Sequence, residues 1–277
     1  MELSQYRVPW INIAAIMVSL LLSVGIPMVL GLYWENKKDA RLSSALKGAG
    51  TFVVFALILE SIVHNIVIKV MGQDAFLQLP FYAIYGGLAA GLFEEVGRYI
   101  VMRLFMKKKL DKTEAIMFGI GHSGVESILL VGLTSVSNIV VSVMLNLGLG
   151  DLLLKGTDPS ICARVIEQLS PLWLSGPGTF LWMGVERISA ISFHICASYF
   201  VYRAVRDRNF GLCVLAVAMH ALLDGVMVAI QKIYGSLILT EGYIFVFAVI
   251  FAVITITAYR HEKWEKRETI DKSGLSW

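Results

Sequence analysis

The chain has 277 residues, of which 57% are hydrophobic and 16% are charged, and its formal net charge is +3. A soluble domain of this length does not need so much apolar surface, so the composition excludes a soluble globular protein and indicates a polytopic membrane protein. The basic residues lie at the edges of the hydrophobic segments, where they determine topology. We therefore expect a lipid bilayer as a partner and no nucleic acid.

Seven hydrophobic segments follow along the chain, each near or above the ~20 residues that cross a bilayer as a helix. They cover residues 10–33, 51–70, 80–103, 113–145, 178–202, 210–231 and 237–259. The first segment lacks a small-residue cleavage site, so we expect a retained helix rather than a signal peptide. The sequence predicts an all-α fold, a polytopic transmembrane helix bundle of about seven helices. A single transmembrane helical domain should cover residues 1–260, with a cytoplasmic tail at residues 261–277.

Lysine and arginine are concentrated after the first, third, fifth and seventh segments, whereas the loops on the opposite side carry few of them. Because cytoplasmic loops are enriched in these residues, we predict that the N-terminus is outside and the C-terminus is cytoplasmic. We expect this topology in a bacterial cytoplasmic membrane. The three cysteines, Cys162, Cys196 and Cys213, are too few for a disulfide framework, and no structural disulfide is predicted.

Ionisable residues that membrane helices usually exclude occur at a common depth in four segments. They are Glu94, Glu95, His122, His194 and His220. Each lies about nine to twelve residues from the predicted cytoplasmic end of its segment, which corresponds to a depth of ~14–18 Å. Placing an ionised side chain in the bilayer costs about 2.5–3.5 kcal/mol, so such residues are seldom kept without a function. We therefore expect the four helices to bring them to one site.

Most of these residues have a suitable partner on the same helical face. Three pairs are four residues apart: Glu94 with Arg98, His122 with Glu126, and His220 with Asp224. We expect Glu126 and Asp224 to orient the histidine rings, as carboxylates do beside metal-binding imidazoles. Glu186 is assigned either the same supporting role or an ion pair with Arg187. Glu60 and His64, also four apart, are interpreted as a local hydrogen-bonded pair outside the site.

Together these side chains have the chemistry of a catalytic metal site. Neutral imidazoles bind Zn²⁺ well, and a catalytic zinc keeps one coordination position for water. The predicted ligands of a divalent metal, preferably zinc, are His122, His194 and His220. Glu94 or Glu95 supplies the carboxylate that takes the proton of a water molecule attacking a peptide carbonyl. Arg98 holds the other carboxylate in its ionised form.

Three short segments within residues 80–225 resemble a known protease family. They are Glu94-Glu95-Val96-Gly97-Arg98, Phe118-Gly119-Ile120-Gly121-His122 and His220-Ala221-Leu222-Leu223-Asp224. The double glutamate with its arginine, the FxxxH segment and the HxxxD segment are similar to motifs of the YhfC-like intramembrane metalloproteases. That family is related to the type II CAAX prenyl endopeptidases, of the CPBP or Abi group, and to the PrsW-type proteases. The resemblance implies a multi-helix core, histidine ligands for a divalent metal, and Glu94 rather than Glu95 as the base.

One detail separates this chain from the prenyl endopeptidases, whose EExxxR motif is here the shorter EExxR. The shorter spacing is closer to the YhfC and PrsW branches, so the resemblance does not imply a prenylated substrate. The implied function is an intramembrane metal-dependent peptidase that acts on a membrane protein or peptide. Its glutamate-activated water is expected at a site open to the cytoplasmic half of the membrane.

Other functions fit only parts of the sequence. Residues 121–124 match the GxSG motif of rhomboid serine proteases, with Ser123 as nucleophile and His220 as base. This assignment leaves four residues without a role, namely Glu94, Glu95, His122 and His194. The GxGD motif of aspartyl intramembrane proteases occurs at residues 148–151, but Asp151 falls in a predicted outer loop. A non-catalytic transporter or scaffold is the remaining alternative, because transporters also keep carboxylates and histidines within the membrane.

Overall fold

A computed structural model describes residues 3–262, so the predicted tail lies almost wholly outside the described residues. Within that range the fold is all-α, without strands, and has eight helices longer than one or two turns. They are α1 (Trp10–Lys38), α2 (Leu42–Met71), α3 (Leu79–Phe105), α4 (Lys112–Asn146), α5 (Pro159–Leu169), α6 (Pro177–Arg206), α7 (Phe210–Tyr234) and α8 (Leu237–His261). Helices α2 and α4 contain π-helical turns, at Phe52–Glu60 and Ile128–Gly132 respectively. The predicted fold class is confirmed.

Six of these helices, all except α3 and α5, are long and apolar enough to cross a membrane. Helix α3 has 27 residues, a length of about 40 Å, but its glutamates and arginines make it less apolar. The seven long helices correspond one to one to the seven predicted segments, and the chain is a multi-pass integral membrane protein. The orientation of the termini stays a prediction.

Large apolar side chains are exposed along the long helices, where a bilayer would cover them. Examples are Leu21 of α1, Ile58 of α2 and Val253 of α8, each about half or more exposed. A soluble protein rarely exposes contiguous apolar surface of this extent. This distribution of side chains agrees with helices that face lipid.

The described residues form two compact units. The first comprises the residues up to Ile26 together with Ser127–Ile188, and its apolar core includes Ile16, Leu145 and Phe180. The second comprises Pro27–Glu126 together with the described residues from Ser189 onward. The second unit contains every residue predicted for the functional site except Glu186. The prediction of a single domain over residues 1–260 stays a prediction.

Glycines allow α3 and α7 to approach each other closely in the second unit, where these two helices pack along an extensive contact. A Cβ atom on Gly91 of α3 would lie 2.7 Å from the carbonyl oxygen of Val217 of α7, and one on Gly87 would collide with the carbonyl oxygen of Ala221. Larger residues would separate the helices, as in other small-residue contacts between membrane helices. This close packing places the Glu94 turn of α3 beside His220 of α7.

Helix α2 begins at Leu42, nine residues before the predicted segment begins at residue 51. Its first turns are small and polar, so hydropathy did not reveal them. They are helical because they pack against α4: a Cβ atom on Gly48 would collide with the carbonyl oxygen of Phe118, and one on Gly121 with that of Ala45. Interhelical packing rather than apolar content therefore determines where this helix begins.

Candidate metal centre

Three buried imidazoles meet inside the second unit, each carried by a different helix. They are His122 of α4, His194 of α6 and His220 of α7, and none is more than 5% exposed. The ring centroid of His194 lies 5.5 Å from that of His122 and 5.3 Å from that of His220. Each histidine lies ten to twelve residues from an end of its helix, about 15–18 Å along the axis. The common depth estimated from the sequence therefore corresponds to a real cluster of rings.

The carboxylate of Glu94 lies at the centre of this cluster. Its Oε2 atom is 2.9 Å from His122 Nε2 and 3.7 Å from His194 Nδ1. Its Oε1 atom is 4.0 Å from His220 Nε2. Each of the three rings thus presents one nitrogen to the same carboxylate, which is 7% exposed.

In two of these rings the other nitrogen lies close to a further carboxylate, which is a different residue for each ring. Glu126 Oε2 lies 2.7 Å from His194 Nε2, and Glu95 Oε1 lies 2.8 Å from His220 Nδ1. Carboxylates of this kind fix the tautomer and the orientation of a metal-binding imidazole. Asp224 lies one turn further along α7, with its Oδ2 atom 3.5 Å from His220 Nε2.

The guanidinium group of Arg98 is fully buried and connects the carboxylates to the histidines. It donates to Glu95 Oε1, to Glu94 Oε2 at 3.1 Å and to His194 Nδ1 at 2.7 Å. Because arginine can only donate hydrogen bonds, His194 Nδ1 must accept, and the ring hydrogen lies on Nε2, facing Glu126. In this neutral form the lone pair of Nδ1 is engaged by Arg98, so His194 would bind a metal through Nδ1 only with the guanidinium group moved away.

Two predicted pairs differ from the observed ones. Glu126 lies near His122 of its own helix, as expected, with ligand atoms within 4.8 Å, but its 2.7 Å contact is with His194 of α6. The prediction of a Glu60–His64 pair is wrong, since no hydrogen bond joins them among the described residues; His64 Nδ1 instead lies 2.7 Å from the hydroxyl group of Tyr85 in α3. In both cases the spacing of four residues suggested a partner within one helix, and the short contact is made instead to a residue of another helix. Tyr85 was missed, because nothing in its local sequence indicates which neighbouring helix it faces.

Glu186 lies in the first unit, where its carboxylate pairs with Arg187, the next residue in the chain. Arg187 Nε donates to Glu186 Oε2 at 2.7 Å. This is the ion pair that the sequence offered as one of two interpretations. A supporting role for Glu186 at the histidines stays a prediction.

The donor atoms in the cluster fit a divalent metal ion. Glu94, His122, Glu126 and His194 each offer one ligand atom, and these four atoms lie within 4.8 Å of one another. His122 Nδ1 is buried and has no hydrogen-bond partner among residues 3–262. Imidazole nitrogens and carboxylate oxygens are the donors that zinc and related first-row metals prefer. Two ligand sets are therefore available, namely the three predicted histidines or this set of two histidines and two glutamates.

Arg98 should be essential for stability, because it is the cation in contact with two buried glutamates. We expect Arg98→Gln to lower the free energy of unfolding by about 3–5 kcal/mol, since an uncompensated buried charge is left behind. Denaturant titration of the purified protein in detergent measures this change. The matched control is Arg103→Gln, at the exposed end of the same helix, where Arg103 contacts Tyr99. Equal stability of the two variants would show that the two glutamates do not require a cation.

Comparisons with known proteins agree on one family. A family model described as YhfC intramembrane metalloprotease matches residues 18–244. The chain is also 39% identical over 212 residues to a Bacillus subtilis (strain 168) protein named "Uncharacterized membrane protein YhfC", which covers 75% of this chain and 80% of that protein. No solved structure matches the chain. The region matched by the family model includes the whole cluster from Glu94 to Asp224.

Proposed function

The chain belongs to the YhfC intramembrane metalloprotease family, and we propose that it is a metal-dependent peptidase that cleaves a membrane protein or peptide within the bilayer. The observation that carries this proposal is the convergence of His122, His194 and His220 on the Glu94 carboxylate, with one nitrogen of each ring within 4.0 Å of it. Three imidazoles and a carboxylate rarely occur together in a membrane interior unless they serve a function.

We assign His122, His194 and His220 as the ligands of the metal, and zinc as the preferred ion. The support for this assignment is the arrangement of the second nitrogens, because Glu126 and Glu95 each hold the ring nitrogen that faces away from Glu94. Zinc, when bound, supplies a Lewis acid that polarises a peptide carbonyl and makes a neighbouring water more acidic.

Glu94 is proposed as the general base that takes a proton from the attacking water and later delivers it to the leaving amine. Its carboxylate faces all three imidazoles, whereas Glu95 is fully buried and occupied by Arg98 and His220. In this proposal, Arg98 balances the charge of both carboxylates and fixes their positions by hydrogen bonds, and Glu95 orients His220. Asp224 contacts the same ring from the next turn of α7.

Access from the cytoplasmic half of the membrane is also part of the proposal. Between the cluster and that end of the helices, the second unit is filled by buried apolar side chains such as Met102, Met117 and Tyr199. Entry from this side therefore requires these side chains to move. Asp224, in the opposite direction along α7, has a side chain that is 31% exposed.

The geometry gives little support to the serine and aspartyl alternatives. The hydroxyl group of Ser123 donates to the carbonyl oxygen of Gly119 in its own helix at 2.8 Å, and His220 bonds Glu95 instead of a serine. Asp151 accepts hydrogen bonds from the backbone and the side chain of Ser4. These bonds lower the pKa of the Asp151 carboxyl group and favour its ionised form, whereas aspartyl proteases share one proton between two carboxyl groups.

Chelation tests the proposed function directly. We expect a strong chelator to abolish cleavage of a membrane peptide by the reconstituted protein, zinc to restore it, and Ser123→Ala to leave it nearly unchanged. Cleavage that survives metal removal and is lost in Ser123→Ala would favour the serine protease. A pure, folded sample that binds no divalent cation would favour the transporter or scaffold.

A further inference from the structure

A basic cavity of about 380 Å³ lies at one end of the second unit, away from the histidine cluster. It is formed between the start of α2 and the segment that joins α3 to α4. Its polar lining includes Arg41, Ser43, Lys47, Lys107, Lys108 and Lys109. The distribution of charge along the sequence predicts that this end of the helices is cytoplasmic.

Hydrogen bonds, of which that between Ser44 and Glu114 is buried, hold the two walls of this cavity together. Glu114, which is fully buried, accepts from Arg41 Nε at 2.9 Å, from the Arg41 backbone N–H at 3.3 Å and from Ser44 Oγ at 2.5 Å. Arg41 Nη2 also donates to the carbonyl oxygen of Lys109 at 2.7 Å. Arg41 therefore has a fixed position, whereas a lysine or arginine that serves only as a topology signal needs only its charge.

The cavity has a large excess of positive charge. Five lysine and arginine side chains line it, and its lining contains no aspartate or glutamate. The carboxylate of Glu114, behind the lining, accepts from Arg41 and Ser44. The Glu114 carboxylate also accepts the Arg41 backbone N–H at the start of α2, so the N-terminus of this helix already has its anion and the excess charge comes from the lysine side chains.

An apolar surface continues directly from the basic walls. Leu104 and Phe105 line the cavity and are 65% and 67% exposed, and Leu42 and Leu46 on the α2 side are 54% and 65% exposed. A soluble phosphate ion would gain no favourable contact from this apolar surface. A phospholipid matches both surfaces. Its phosphate can bind the cations, and its acyl chains can pack against the exposed leucine and phenylalanine side chains at the membrane edge.

We propose that this cavity binds the headgroup of an anionic phospholipid, with the phosphate between Arg41, Lys47 and Lys109 and an acyl chain against Phe105. The lipid joins α2 to the α3–α4 connection from outside, as Glu114 joins them from inside. The site is independent of the histidine cluster and does not require the protein to be a protease.

Competition between lipids tests the proposal on the full chain. In nanodiscs that contain phosphatidylglycerol and phosphatidylcholine, native mass spectrometry should show retained phosphatidylglycerol on the wild-type protein. We expect Lys47→Gln/Lys109→Gln to weaken this retention about 10-fold or more, because each lysine near a membrane surface contributes to anionic lipid binding. Both substitutions leave Arg41 and Glu114 in place, so the fold should be retained.

The matched control removes the same amount of charge from the same end of the helices but outside the cavity. Lys37→Gln/Lys38→Gln, at the end of α1, should retain phosphatidylglycerol like the wild type. Equal loss in both double variants would show a diffuse surface potential and overturn the proposal. Full displacement of the lipid by millimolar inorganic phosphate would also overturn it in favour of a soluble anion.

Cross-linking of the unmodified protein gives a second measurement, independent of any substitution. A phosphatidylglycerol with a photoactivatable acyl chain should form adducts within residues 104–106 and 42–46. Adducts spread evenly over all lipid-facing helices would contradict a specific site.

Discussion

Glu94→Gln should lower kcat/KM for a cleaved membrane peptide on the order of 10³-fold while the protein stays folded and keeps its metal. The amide has nearly the same shape as the carboxylate but cannot take a proton, and general-base catalysis typically contributes about 10²–10⁴-fold. The contacts with His122 and Arg98 are to a single carboxylate oxygen, Oε2, which the amide oxygen can replace. Peptide cleavage in proteoliposomes, together with metal content and thermal unfolding of the same preparation, measures each effect separately.

Glu95→Gln is the matched control, since the two glutamates are adjacent in α3 and both contact Arg98. Because Glu95 acts only through the orientation of His220, we expect its loss to reduce activity about 10- to 100-fold. A larger loss in Glu95→Gln than in Glu94→Gln would reverse the two roles. Loss of the metal in Glu94→Gln would identify Glu94 as a ligand rather than a base.

The helices and the depth of the site could be predicted from the sequence because the bilayer constrains both. A spanning helix must be long and apolar, so hydropathy located the seven long helices, and a polar residue inside one must meet a partner at its own depth. His122, His194 and His220 could therefore be grouped by counting from the helix ends. The early start of α2 was not predicted from hydropathy, because its first turns are not apolar. Ser44 and Gly48 nevertheless have the spacing of small residues that pack helices together.

The choice of partners within the site could not be predicted, because it depends on how each helix is rotated about its axis. Spacing of four residues placed Glu126 on the same face as His122, but it does not show which ring on a neighbouring helix that face meets. The close approach of α3 to α7 directs Glu95 toward His220, and α6 brings His194 to Glu126. These contacts are properties of the packed helices and not of any local pattern.

Zinc affinity should separate the two possible ligand sets. We expect His220→Ala to lower the affinity by more than about 100-fold, since it removes a direct ligand, and Glu126→Gln to lower it only about 10- to 100-fold, the usual effect of losing a carboxylate that orients a histidine. Competition with a metal-binding dye, followed by elemental analysis, gives both values on the purified protein. His64→Ala is the control, because that histidine lies in the same unit but bonds Tyr85 instead of the cluster.

The reverse order of effects would be equally informative. If Glu126→Gln loses the metal and His220→Ala retains it, the ion is held by Glu94, His122, Glu126 and His194, whose ligand atoms already lie within 4.8 Å of one another. Glu94 would then be occupied by the metal, and the base would have to be another carboxylate beside His220, namely Glu95 or Asp224. The ligand assignment therefore determines the catalytic assignment, because Glu94 cannot serve in both roles.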